Sequence, residues 1–201
     1  FNNTFNGYRN PKFLPDGQII VSSIVEGTGI CCIASPFDEI SINDLYKVNF
    51  GWDGNTFVKY GTITGFSSSG FEILKYDKSV DTKYYGVDRN PSNSFLSFDN
   101  NDIIFEVDTS IFHLSIENLQ SSTEDFKSDS LTVGKILNTS PIGTKVLFLY
   151  DCDLYTLNYK TKNIDKLVDL SDCVINADYL TNGLSVVVES SKKRIYIYNT
   201  S

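Results

Sequence analysis

The chain has 201 residues, 41% of them hydrophobic, which is enough for one substantial core and makes one domain or one closed all-β body the natural expectation. Its formal net charge of −8 excludes the basic surface that a phosphate backbone demands, so no nucleic-acid partner is expected. No apolar run approaches the roughly 18 residues that a membrane-spanning helix requires.

The chain starts at Phe1 and contains no Met, so residues are expected to precede it, with signal-peptide cleavage, a larger parent chain or an excerpt as the explanations left open. In chain order, five short segments then read as innermost strands: PKFL, YKVNF, SFLSF, KILN and ADYL. Each runs into a polar turn, centred on Pro15-Asp16-Gly17, Trp52-Asp53-Gly54, Asp99-Asn100-Asn101, Pro141-Ile142-Gly143 and Thr181-Asn182-Gly183. Gly, Asn, Asp and Pro are the residues that turn geometry favours. Second strands follow as QIIVSS, TFVKYG, DIIFEV, KVLFLY and LSVVVES. Third strands read GICCIAS, FEILKYD, SIFHLSI, DLYTLNY and RIYIYNT, with alternate apolar positions suited to one face of a packed sheet. Fourth strands, KYYGV and IDKLVDL, are weaker, as exposed outer edges are. Residues 116–127 read as a long connection between blades.

The turns recur roughly every 40 residues, the period of a four-stranded propeller blade. The expected fold is an all-β propeller of about five such blades in one domain, at residues 9–48, 49–87, 88–132, 133–172, and 173–201 together with 1–8. The fifth blade is one strand short, and the opening FNNTFNGY is expected to complete it, because an unpaired edge leaves backbone groups unsatisfied. A ring of six to eight blades, of which these form part, stays open as the alternative.

The stretch NPKFLPDGQIIVSS resembles the Pro-Asp-Gly strand-turn-strand unit of the WD40-like repeats in TolB, tricorn protease and prolyl oligopeptidase-type propellers. SPIGTKVLFLYDCDLYTLNYKTKNIDKLVDL resembles that unit over a whole blade. Ser140-Pro141-Ile142-Gly143 and Leu180-Thr181-Asn182-Gly183 depart from the Ser-Pro-Asp-Gly that the family favours. The resemblance implies a protein-binding platform, as in TolB-like propellers, or a substrate-docking portion of a larger serine peptidase; fold alone does not choose.

Candidate chemistry is sparse. His113 is the only histidine, on a third strand and outside any nucleophile-elbow context, so it reads as structural. No metal site, cofactor or catalytic residue is expected, and no enzyme activity. A five-bladed carbohydrate-binding or glycosidase propeller is the further alternative, but Asp16, Asp53 and Asp99 sit in turns where Asp is expected for turn chemistry. Adjacent Cys31 and Cys32 point to opposite faces of a strand. Cys152 and Cys173 are read first as small semi-buried thiols, with a bridge between them as the alternative in an oxidising compartment. Three Asn-x-Ser/Thr triplets, at Asn2, Asn138 and Asn199, are as many as chance gives. Trp52 is expected to be buried as a blade-packing anchor.

The repeats of Arg-Asn-Pro, in YRNP and DRNP, precede two inner strands. In a propeller those connections share a face with the turns between second and third strands. Arg9, Arg89, Glu26, Asp151, Asp153 and Lys192 are thereby expected on one rim, which would bind a protein or peptide partner through its carboxylates. The bland reading is turn chemistry with solvated arginines. An extracellular or secreted setting is favoured over a cytoplasmic one, and oligomeric state is left undetermined.

Overall fold

The structure is a computed structural model that describes residues 5–13, 19–25, 30–31, 40–41, 48–62, 69–75, 83–86, 91–116 and 130–200. Alternation of apolar and polar residues, with β-branched and aromatic side chains at the apolar positions, makes these segments strands. Two short pairs come first: β1 (Phe5–Phe13) with β2 (Ile19–Val25), and β3 (Ile30–Cys31) with β4 (Ile40–Ser41). Three four-stranded sheets follow. They are β5 (Val48–Phe50), β6 (Thr56–Thr62), β7 (Ser69–Lys75) and β8 (Lys83–Gly86); then β9 (Asn93–Leu96), β10 (Asp102–Val107), β11 (Ser110–Ser115) and β12 (Thr132–Val133); then β13 (Lys135–Thr139), β14 (Lys145–Tyr150), β15 (Asp153–Asn158) and β16 (Ile164–Val168). A three-stranded sheet of β17 (Val174–Tyr179), β18 (Ser185–Ser190) and β19 (Ile195–Asn199) ends the series.

Every pairing is antiparallel, and strands adjacent in sequence are neighbours in each sheet. The architecture is an all-β propeller.

The cores lie between consecutive sheets, not within them. Val58, Tyr60 and Phe71 of the β5–β8 sheet pack against Leu96, Ile103, Phe105, Phe112 and Leu114 of the next. On the other face of that next sheet, Ile104 and Ile111 meet Ile136, Val146, Phe148, Leu157 and Tyr159. Leu147, Leu154 and Val168 then meet Val174, Ala177, Tyr179, Val186 and Val188. Alternate residues of one strand thus serve two different cores, which is why β10 is buried along its whole length. Each such apolar side chain contributes about 1.5–3 kcal/mol.

Polar links reinforce the inner strands. Asn49 donates its amide to Asn93 Oδ1 at 3.0 Å and to the Ser94 carbonyl at 2.6 Å, and Asn138 donates to Asp178 Oδ1 at 2.6 Å. Trp52 is buried, as expected. It reaches from the β5–β6 turn to donate its indole N–H to Thr139 Oγ1 at 3.2 Å, while Thr139 donates to the Leu96 carbonyl at 2.8 Å. One turn residue therefore ties three sheets together.

The opening segment departs from expectation. Phe5 to Tyr8 do not complete the last sheet; they form the first half of β1, with Phe5 opposite Val25 and Tyr8 opposite Ser23. The strand runs on through Asn10 and Pro11 by absorbing a register shift between Arg9 and Lys12, so the residues separated into two elements by sequence reading are one. Among the described residues the last sheet keeps three strands. The Pro15-Asp16-Gly17 turn, Cys32 and residues 117–127 of the long connection lie outside the described residues.

Candidate functional site

The turns of the last two sheets build a rim. Asp151 and Cys152 form the β14–β15 turn, where Asp151 adopts φ 53°, and residues 191–193 form the β18–β19 turn, where Lys193 adopts φ 58°. Between them runs the connection from β16 to β17, residues 169–173.

Three kinds of bond fasten these pieces. Cys152 and Cys173 form a disulfide, so the bridge kept as the alternative reading is present. Val174 N–H donates to the Cys152 carbonyl at 2.9 Å, and Ser191 N–H donates to the Cys173 carbonyl at 2.7 Å. Asp172, buried in the connection, pairs with Lys192 Nζ at 2.5 Å and lies 3.9 Å from the Arg194 guanidinium. A buried carboxylate needs such a cation, because leaving it unpaired costs several kcal/mol. Lys166 joins Asp153 at 2.9 Å and Asp169 at 3.4 Å, and those bonds hold its ammonium pKa above the ordinary value.

The result is a surface of alternating charge on a stapled backbone. Lys192, Lys193 and Arg194 form a basic turn on an acidic chain, and all three are exposed or partly so. Tyr150, next to Asp151 at the end of β14, and Ile175, at the start of β17, are exposed large apolar side chains. Arg forks and exposed aromatics are the residue types enriched where proteins contact proteins.

Of the six residues expected on one rim, Asp151 and Lys192 fall on these turns and Asp153 opens β15 directly after the first of them. Arg9 lies within β1, its backbone opposite Ser22. Arg89 and Glu26 lie outside the described residues. Sequence reading missed Asp172, Tyr150 and Ile175. The clue for Asp172 is its position beside Cys173 with a basic turn one hairpin later.

The opposite end carries a different network. Asp102, buried at the start of β10, accepts from Lys160 Nζ at 2.7 Å and bonds His113 Nε2 at 2.7 Å. The His113 ring lies 5.0 Å from that of Tyr159, whose hydroxyl burial keeps protonated well above its ordinary range. Asp53 accepts from Thr56, Asn55 and Asn100. Burial opposes its ionisation, but these hydrogen bonds prevail and hold the carboxyl below its usual value. Asp99 is likewise held down by Ser97 and Asn101 against its burial. These carboxylates therefore have internal partners in the turns they shape. Among the described residues no cluster of three or more His, Cys, Asp or Glu side chains could hold a metal.

Comparison with known proteins follows the fold. A solved structure described as a TolB from Agrobacterium tumefaciens superposes with a TM-score of 0.66 and 13% identity, over 100% of this chain and 78% of that one. At this identity the likeness shows the propeller fold. No family model matches the sequence, and no curated protein matches it.

Proposed function

We propose that this chain is a non-catalytic protein-interaction propeller that holds a carboxylate-bearing segment of a partner on the rim formed by the β14–β15 turn, the β16–β17 connection and the β18–β19 turn. The carrying observation is the basic turn of Lys192, Lys193 and Arg194, held by buried Asp172 in a connection that the Cys152–Cys173 bridge staples, on a rim that also carries exposed Tyr150 and Ile175. A fixed turn loses less entropy on binding than a free one. The TolB-like architecture agrees with a platform role. His113 supports the non-catalytic reading, since its ring bonds a buried carboxylate also held by Lys160. The disulfide fits an oxidising, extracellular or secreted setting.

A peptide array tests the reading. Acidic peptides with free C-termini are compared with amidated and neutral counterparts for binding to wild type, to Lys192→Ala/Arg194→Ala, to Arg9→Ala/Arg89→Ala, and to Lys160→Ala as a control on the far face. The reading expects acid-selective binding that weakens roughly tenfold or more in the Lys192→Ala/Arg194→Ala variant and stays unchanged with Lys160→Ala. Binding that ignores carboxylates, or that survives loss of the basic turn, overturns it. The Arg9→Ala/Arg89→Ala arm decides whether the rim extends to the Arg-Asn-Pro segments.

A further inference from the structure

Among the described residues, four turns between first and second strands share one design. The N–H of Gly51 bonds the Thr56 carbonyl, that of Ser97 the Asp102 carbonyl, that of Ser140 the Lys145 carbonyl and that of Leu180 the Ser185 carbonyl. The fourth residue of each turn, Gly54, Asn100, Gly143 or Gly183, adopts φ between 58° and 70°. The third residue is Asp53, Asp99 or Asn182 in three of them, and its side-chain oxygen accepts the N–H two residues on at 3.0–3.2 Å. Short polar side chains are what such turns favour.

Three positions break the pattern with exposed apolar side chains. Ile142 stands where the other turns hold Asp or Asn, and Ser140 Oγ serves as the cap instead by accepting the Ile142 N–H at 3.1 Å. Leu184 stands where the others hold Asn55, Asn101 and Thr144. Phe98 stands where Trp52 and Pro141 are buried. Ile142 is 45% exposed, Phe98 47% and Leu184 51%. Turn geometry asks for none of these side chains, and apolar surface left in water without a structural reason marks a contact with another molecule.

The turns stand side by side. Ile142 lies so close against Gly183, the residue before Leu184, that a Cβ there would collide with it. Asn100 donates to Asp53 Oδ2 at 2.9 Å, and Thr139 donates to the Leu96 carbonyl at 2.8 Å, which joins the remaining turns. Asp99 and Asp53 flank Phe98 through these links. Their hydrogen-bond donors are all neutral, Asn55, Thr56 and Asn100 for Asp53, and Ser97 and Asn101 for Asp99, so both charges persist. Of the lysines at this end, Lys160 is paired with buried Asp102, while Lys145 opens β14 and Lys162 lies in the β15–β16 turn, outward of β13.

We infer that Phe98, Ile142 and Leu184 form a second docking surface, at the opposite end from the basic turn, whose occupant is a basic segment of a partner protein carrying apolar side chains between its cations. The chain's net charge of −8 draws such a segment in and repels a second copy.

A peptide of alternating Lys and Leu, titrated by calorimetry and by amide chemical-shift mapping beside a Lys/Ser peptide of equal charge, tests this. The Lys/Leu peptide should bind with shifts centred on Phe98, Ile142 and Leu184, and the Lys/Ser peptide roughly tenfold or more weakly. Ile142→Asp/Leu184→Asn restores residues that the other turns hold. It adds negative charge, so bare attraction between cation and acid would tighten binding, whereas the inference predicts a loss of roughly tenfold or more. Asp53→Asn/Asp99→Asn keeps the caps, as Asn182 does, and should weaken binding several-fold. Lys192→Ala/Arg194→Ala should leave it unchanged, which separates this surface from the rim. Absent binding, equal binding of the two peptides, or undiminished binding to Ile142→Asp/Leu184→Asn overturns the inference. So does binding that falls in the rim variant, or a dimer in light scattering that Ile142→Asp/Leu184→Asn abolishes, which would seat a second copy there.

Discussion

Glu106 places a carboxylate between two sheets, where its acceptor role and its burial pull in opposite directions. Burial raises its pKa from 4.5 to about 7, against the lowering effects of the Ile136 N–H and the Lys135 charge. As pH rises, the unfolded chain gives up this proton near 4.5 and the folded chain only near 7. The folded form therefore binds more protons in that window, and stability falls as pH climbs through it, by on the order of 1.4 kcal/mol per unit. Glu106→Gln keeps an oxygen for the Ile136 N–H and removes the titration. Urea unfolding over a pH series should show a flat window for this variant and, at pH 8, greater stability than wild type; a parallel decline in both proteins would contradict the assignment. Trp52 is the other decisive residue. Trp52→Ala removes the shared anchor of three sheets and should lower stability by about 3–5 kcal/mol in the same assay. Burial of the single Trp was legible from sequence, but its partner Thr139, 87 positions away, was not, because nothing local encodes a contact between turns of different sheets.

At the scale of elements, the hairpins were the most readable part of the chain. KVLFLY and DLYTLNY announce β14 and β15 through period-two alternation around Asp151, and the structure pairs them over six positions. Short outer strands carry weaker patterns, so β12, two residues long, escaped notice. Gly134, between β12 and β13, shows what such a connection demands: a Cβ there would lie 2.5 Å from the Phe148 ring and 2.7 Å from the Leu149 carbonyl, at φ +155°. Gly134→Ala should cost more than the few tenths of a kcal/mol of an ordinary surface change, and its melting temperature should fall by several degrees. The Cys152–Cys173 bridge closes a loop over 21 positions. Its removal by Cys152→Ser/Cys173→Ser should cost about 3 kcal/mol and loosen the rim first. Hydrogen exchange should then quicken at Val174 and Ser191, whose amides bond the two cysteine carbonyls, before it quickens in β10. The bridge itself could be named from sequence only as an alternative, since spacing between two cysteines fixes no distance in space.

The whole molecule follows from repetition. A sheet in this chain cannot bury both faces alone, and each core is made from residues of two consecutive sheets. That rule was readable in the roughly 40-residue spacing of turns. What spacing could not convey is where the first strand starts, because β1 begins inside the segment assigned to the last sheet. Nor could it convey which rim charges are already paired, since Asp172 and Lys192 meet only once two hairpins are folded side by side. On the proposed function, the rim beside this ion pair receives a partner's carboxylate-bearing segment. Amide chemical-shift mapping of the chain during titration with an acid-selective array peptide tests it most directly. Binding at this rim predicts shifts concentrated at residues 150–153, 166–175 and 191–194, weakening as salt rises. Shifts centred instead on Asp53, Asp99, Asp102 and Lys160 at the far end, or spread with no focus, would contradict it.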